Sequence, residues 1–214
     1  MNLFRIDASI LPGTSASAEL ADTVQNEWAL AHPDAQVARR HLGTDPLPAD
    51  AWALATTADF TPASERTPAH LEAKELATEL AAELDRADAV LLAVPLYNYG
   101  VSQHFKTWAD LVLNGAGATT PVLKEKPTVL VTTKGGGFQP GAPREGWDHS
   151  TPYLRRVLLD IWQADLTVIE RELTLAAVNP AMEGLRDQAA QLHSDALDAA
   201  RDAGRTLAGT AARV

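Results

Sequence analysis

Two kinds of apolar pattern alternate along this chain. Leu3 to Ala8, Gln36 to Leu42, "ADAVLLAVPL" from Ala87, "KPTVLVTT" from Lys126 and "DLTVIEREL" from Asp165 are short runs that read as strands. Between them apolar residues recur at helical spacing. A first helix is expected near Ala18 to Ala31, and a second over Leu71 to Arg86, with Leu76, Leu80 and Leu84 on one stripe and glutamates opposite. After Gly100, residues Val101, Phe105, Trp108 and Val112 mark another helix; Pro152 to Trp162 mark the next. A last helix begins at about Ala181, with Leu185, Ala189, Leu192 and Ala196 in register. Gly43 to His70 holds four prolines among scattered polar residues and reads as a long, partly ordered connection.

The apolar run around Val90 to Val94 has no polar alternation, which suits a parallel strand covered on both faces. Five strands separated by helices imply crossovers over both faces of one sheet. The expected fold is a doubly wound α/β protein: a five-stranded parallel sheet with helices on both sides, in one domain over residues 1–214.

Composition narrows the chemistry. With 18 basic against 28 acidic residues, the net charge of −10 argues against a nucleic-acid partner. There is no cysteine, so disulfides, thiolate metal sites and thiol nucleophiles are excluded, and redox work requires a bound cofactor. The six histidines show no HxxxH or HxH spacing, and no metal site is expected. The N-terminal stretch turns polar within a few residues, and no run is long enough for a membrane helix. A cytoplasmic protein is expected.

In an open α/β sheet, ligands lie beyond the carboxyl ends of the strands, and three loops qualify here. "SILPGTSAS", Ser9 to Ser17, offers hydroxyls and free amides at a helix start, suited to a phosphate; alternatively Ser15 or Ser17 merely caps the helix. "PLYNYG", Pro95 to Gly100, sets flat side chains over the same edge. "TTKGGGFQPGAP" follows the fourth strand, and its consecutive glycines let backbone approach a ligand closely; the alternative is a flexible turn. "DHS", Asp148 to Ser150, lacks the spacing of a catalytic triad and is better read as a helix cap made by Ser150.

Together these stretches resemble the FMN-dependent azoreductase and NAD(P)H quinone reductase family, of flavodoxin-like fold. "PLYNYGVSQHFKTWADLV" is close to that family's P-M-Y-N-F-x-x-x-x-x-L-K-x-x-x-D pattern, with Lys106 and Asp110 in place, and the serine and glycine loops match in the same order. The resemblance implies FMN as cofactor. Its phosphate would lie on Ser9, Ser15, Ala16 and Ser17, its ring against Leu96, Tyr97, Asn98 and Tyr99, and its pyrimidine edge near Thr133, Lys134, Gly135 and Gly136. It also implies a homodimer that passes two electrons from NADH or NADPH to quinones, azo compounds or a related aromatic acceptor, both substrates using one pocket in turn. No acid, base or nucleophile is obligatory for that chemistry. Lys134 could help to stabilise the charge that reduction creates.

The chain departs from the family pattern in three places. Lys134 stands where arginine is common, Gly137 and Phe138 replace a histidine or tyrosine after the double glycine, and the connection after Gly117 lacks a longer aromatic loop. The last departure predicts a wider acceptor pocket. These departures also leave open a second class, a flavodoxin-like binding or regulatory protein without turnover.

Overall fold

The computed structural model describes residues 1–11 and 13–211; Pro12 of the serine loop and residues 212–214 lie outside the described residues. The strands are β1 (Asn2–Asp7), β2 (Gln36–His41), β3 (Ala89–Ala93), β4 (Pro127–Thr133) and β5 (Asp165–Arg171). All pair in parallel in the order β2-β1-β3-β4-β5. Strand order therefore reverses between β1 and β3, where the loops after these strands part to opposite sides of the sheet.

The helices are α1 (Ala16–Ala31), α2 (Ala51–Phe60), α3 (Pro68–Asp85), α4 (Gln103–Ala116), α5 (Thr151–Arg155, continued by a π-helical stretch to Ile161) and α6 (Arg186–Ala211). Because successive strand residues face opposite sides, the sheet feeds two cores. Phe4, Ile6, Val90, Leu92 and Leu130 pack against α2 to α5, whereas Leu3, Leu91, Val129, Val131 and Ile169 pack against α1 and α6. β3 and β4 are buried throughout, β3 as its unbroken apolar run requires and β4 with Thr128, Thr132 and Thr133 covered as well. The polar alternates of β1 stay dry as well. Buried Arg5 donates to both carboxylate oxygens of Asp7 at 2.9 Å and to Asp22 at 2.6 Å, so each charge is compensated.

On α4, Phe105, Trp108 and Val112 are fully buried, with Trp108 against Trp162 at a ring separation of 5.6 Å. Each such side chain contributes about 1.5–3 kcal/mol by leaving water. Gly115 brings α4 against α3, since a Cβ there would lie 2.0 Å from the Ala77 carbonyl oxygen.

Two expectations change. The connection from Gly43 to His70 contains α2, because its prolines flank a proline-free window in which Ala51, Ala55 and Ala58 form a buried stripe. On α6 the expected stripe is displaced. Leu185 is exposed and Ala189 and Leu192 are half-buried, while the buried face begins at Ala196 and runs through Ala200, Ala203 and Leu207 to Ala211.

Candidate active site at the carboxyl edge of the sheet

β1 delivers Ser9 and the loop that ends at the N-terminus of α1. Ser15 caps that helix, accepting from the Ala18 amide at 3.2 Å, and its hydroxyl lies 3.0 Å from that of Ser17. Capping and a polar, anion-ready helix end are therefore the same structure here. Ser9 is buried; its Oγ accepts from the Leu11 amide and shares a 3.1 Å hydrogen bond with the Tyr97 hydroxyl, so the first and second loops are joined at this point. Gly43, after β2, presses on the Ser9 backbone, where a Cβ would come within 2.0 Å of the Ser9 carbonyl oxygen.

β3 delivers Leu96 to Gly100. Tyr97 and Gly100 exchange backbone hydrogen bonds of 2.9 Å, closing a two-residue turn on Asn98 and Tyr99, which have φ of 49° and 69°. Hairpin turns of this hand favour Asn-Gly, and a tyrosine in the left-handed region costs roughly 1–2 kcal/mol. The turn nonetheless presents Tyr99 to solvent at 41 % exposure. Tyr97 is half-buried rather than displayed, because its hydroxyl is held by Ser9 and by the Ile10 amide.

β4 delivers Thr133 to Gly136. Lys134 is the largest departure from expectation. Its ammonium is buried, 2.7 Å from Glu170, 2.9 Å from Asp148 and 3.6 Å from Glu172. Burial disfavours this ammonium, but the bonds and charges of Asp148 and Glu170 outweigh it and hold its pKa above the usual lysine value. A cation surrounded by three carboxylates adds no positive charge at a ligand's edge, so any stabilisation there falls to main-chain amides of the glycine loop. Glu172 also accepts from the Phe138 amide at 2.8 Å, and Phe138 is buried, so the loop departs from the sheet in a fixed direction. The "DHS" stretch is a cap, but Asp148 makes it. Its carboxylate accepts from the amides of Ser150 and Thr151 at 2.9 Å and from the Thr151 hydroxyl at 2.7 Å, whereas the buried Ser150 hydroxyl has no partner among the described residues.

β5 contributes residues that no motif indicated. Thr174 and Leu175 donate backbone hydrogen bonds to the carbonyls of Lys134 and Gly135, laying the segment after β5 along the glycine loop. Arg171 and Thr174 line a 550 Å³ cavity together with Gly13 to Ala16. Arg171 donates to Glu19 at 3.0 Å, and its buried Nε has no partner among the described residues. The signal available in the sequence was the position of Arg171 at the end of a strand predicted to point at the site. A larger cavity of 710 Å³ follows the outer edge strand β2 and the end of α3. Its arginines are already paired, Arg40 with Glu83, Arg86 with Glu79 and Arg39 with Asp7, and it contains none of the three loops.

These residues suit a phosphate-bearing planar cofactor such as FMN. Thr14, Ser15 and the Ala16 end of α1 line the cavity whereas Ser9 and Ser17 are buried and do not, the Arg171 Nε there has no acceptor among the described residues, and an aromatic turn and a glycine loop stand at the same edge.

A parallel sheet whose order reverses between β1 and β3, with its site loops at that reversal, defines a flavodoxin-like protein. The family model described as "Flavodoxin-like fold" matches residues 1–195. The FMN-dependent NADH:quinone oxidoreductase of Frankia alni is 39% identical over 191 residues, covering 87% of this chain and 90% of the relative. That of Streptomyces avermitilis is 38% identical over 208 residues, covering 94% and 95%. Among solved structures, the azoreductase AzrA superposes with a TM-score of 0.79 at 19% identity, covering 96% of this chain and 100% of its own. An FMN-dependent NADH-azoreductase from Bacillus anthracis, in complex with FMN, gives 0.73 at 15% identity and covers 97% and 100%. At those identities the structural likenesses bear on the fold. The chain belongs to the flavodoxin-like family and, within it, to the FMN-dependent NADH:quinone oxidoreductases.

Proposed function

We propose that this chain is a cytoplasmic FMN-dependent oxidoreductase that passes two electrons from NADH or NADPH to quinones, azo compounds or a related aromatic acceptor. The observation that carries the reading is the convergence of the serine, aromatic and glycine loops on one edge, beside a cavity lined by the N-terminus of α1. The family's relatives supply the nature of the reaction.

FMN supplies two-electron chemistry at its ring when bound. The chain's own residues hold and shield it. Ser9, Ser15 and Ser17, with the Ala16 amide, would take the phosphate, and Arg171 stands beside them in the cavity, its guanidinium shared with Glu19 at 3.0 Å. Leu96 to Tyr99 would line the ring. Thr133 to Gly136 would approach its pyrimidine edge, with the amides of Gly135 and Gly136 as donors, since the ammonium of Lys134 is engaged with carboxylates and its amide donates to the Arg171 carbonyl at 2.8 Å.

Nicotinamide and acceptor must each reach the same ring position, and stacking leaves room for one flat molecule at a time. Varying the quinone at several fixed NADH concentrations should therefore give parallel double-reciprocal lines. Intersecting lines would mean that both substrates bind together.

A homodimer is part of this reading, with Ile10, Leu11, Tyr99, Leu175 and Val178 supplying exposed apolar surface at the carboxyl edge. The aromatic face of α4 does not contribute, being buried within the subunit. Sedimentation should give about twice the 22.9 kDa chain mass. The function itself is tested by the absorption spectrum of the purified protein, which should show a flavin band that bleaches on addition of NADH.

A further inference from the structure

The connection between α4 and β4, Gly117 to Lys126, contains no aromatic residue, and on that ground an open pocket is expected. A ring comes instead from another connection. Trp147, in the connection between β4 and α5, meets Tyr99 at 5.6 Å between ring centroids and an interplanar angle of 74°. Both rings stay open to solvent, Trp147 at 51 % and Tyr99 at 41 % exposure.

A lone exposed aromatic needs no explanation. These two differ in how firmly their backbones are held. Tyr99 sits in the left-handed turn closed by Tyr97 and Gly100. Immediately after Trp147, Asp148 is anchored by Lys134 and by the amides of Ser150 and Thr151, and the His149 amide donates to the Tyr99 carbonyl at 2.9 Å. On the other side, the Trp147 amide donates to the Arg144 carbonyl at 3.2 Å. The buried ionic cluster thus fixes the chain on one side of Trp147, and a direct backbone bond ties that chain to the turn bearing Tyr99. The other tryptophans have partners of their own: Trp28, Trp108 and Trp162 are buried, and Trp52 lies under the Lys106 ammonium.

We propose that Trp147 is a specificity-determining residue which, with Tyr99, forms an aromatic corner that selects flat polycyclic acceptors. The inference rests on the reading above that the cofactor ring lies along Leu96 to Tyr99. Near-perpendicular rings offer one face and one edge to a third ring laid in the corner, an arrangement aromatic groups favour. A two-ring acceptor reaches both walls. A one-ring acceptor can be reduced while touching only the cofactor and Tyr99.

The test compares wild type, Trp147→Ala and Trp147→Phe as flavin-loaded proteins, with kcat and KM measured for a naphthoquinone and for 1,4-benzoquinone at saturating NADH. In Trp147→Ala the naphthoquinone KM should rise about tenfold while that for benzoquinone changes by less than about threefold, and kcat and flavin content should stay near wild type. Trp147→Phe should recover most of the loss. Equal changes for the two quinones, or none, in an active flavoprotein would overturn the aromatic corner alone. A wild type that holds no flavin, or that reduces neither quinone, would overturn the functional reading and the corner with it.

Discussion

The loop after β1 and the loop after β4 stand at the same edge of the sheet but are built on different principles. Ser9 to Ser17 is organised locally: a strand ends, Ser15 caps α1, and the hydroxyls of Ser15 and Ser17 lie side by side. Lys134 to Ser150 is organised from a distance. It is fixed by a buried ammonium whose partners, Asp148, Glu170 and Glu172, lie 14, 36 and 38 residues further along the chain. A loop of the first kind supplies hydrogen bonds that a ligand can take over directly. One of the second kind supplies rigidity, and its charges are spent on holding its own shape.

The contrast is sharpest in the responses to mutation. Replacing Ser15 and Ser17 together with alanine removes two hydroxyls at the proposed phosphate site. Bonds to a charged group are worth about 1.5–3 kcal/mol each, so FMN affinity should fall by about two to four orders of magnitude, read by fluorescence titration. Riboflavin, without the phosphate, should lose less than about threefold. Equal losses for both would place the phosphate elsewhere.

Lys134→Met should act mainly on stability. It leaves Asp148, Glu170 and Glu172 facing one another without their cation, and breaking such a buried pair costs about 3 kcal/mol or somewhat more. Urea unfolding at neutral pH measures this. A drop well under about 1 kcal/mol would mean that the cluster does not hold the loop.

Gly43→Ala tests the local loop from outside, because its Cβ would strike the Ser9 carbonyl. Moving Ser9 also disturbs its bond to Tyr97, so FMN affinity should fall by roughly tenfold, with fold stability reduced by about 1–3 kcal/mol. Unchanged affinity would separate the path of the loop from ligand binding.

The smallest expected effect is a pH dependence. Burial pushes the Asp148 carboxyl up, but bonds from Lys134 and Thr151 outweigh it and hold the pKa below the ordinary carboxylate value. The stabilisation is therefore complete above the unfolded carboxylate range, about 3.9, and disappears as pH falls through the depressed native value. Thermal melts of Asp148→Asn between about pH 5 and 2 should show a shallower acid decline than wild type. Parallel curves would exclude Asp148 as a source of that decline.

The same contrast explains what could be read from the sequence. The five strands, their parallel pairing and the serine loop are local signals: apolar runs, helical spacing and hydroxyls at a helix start. The helix α2 was obscured because four prolines counted over 28 residues hide a window that has none. The displaced stripe of α6 could not be read from periodicity alone, since Leu185, Ala189 and Leu192 keep helical spacing but lie where the sheet does not cover them. At the site, the three loops were legible as motifs. The commitment of Lys134 to carboxylates, the approach of Arg171 and the meeting of Trp147 with Tyr99 were not, because each depends on residues brought together by the crossovers rather than by spacing. Lys134 in particular reads locally as a free cation beside a glycine loop. Only the chain around Asp148 and β5 shows that its charge is already answered.

The carboxyl edge of the sheet is proposed to hold FMN and to exchange electrons there with a nicotinamide. The most direct measurement is anaerobic titration of the FMN-loaded protein with NADH, followed by addition of a quinone. The protein should hold one flavin per chain, lose the oxidised absorption band completely at one equivalent of NADH, and regain it fully with one equivalent of quinone. A protein that binds no FMN at micromolar concentration, or whose bound flavin neither bleaches with nicotinamide nor recovers with quinone, would contradict that proposal.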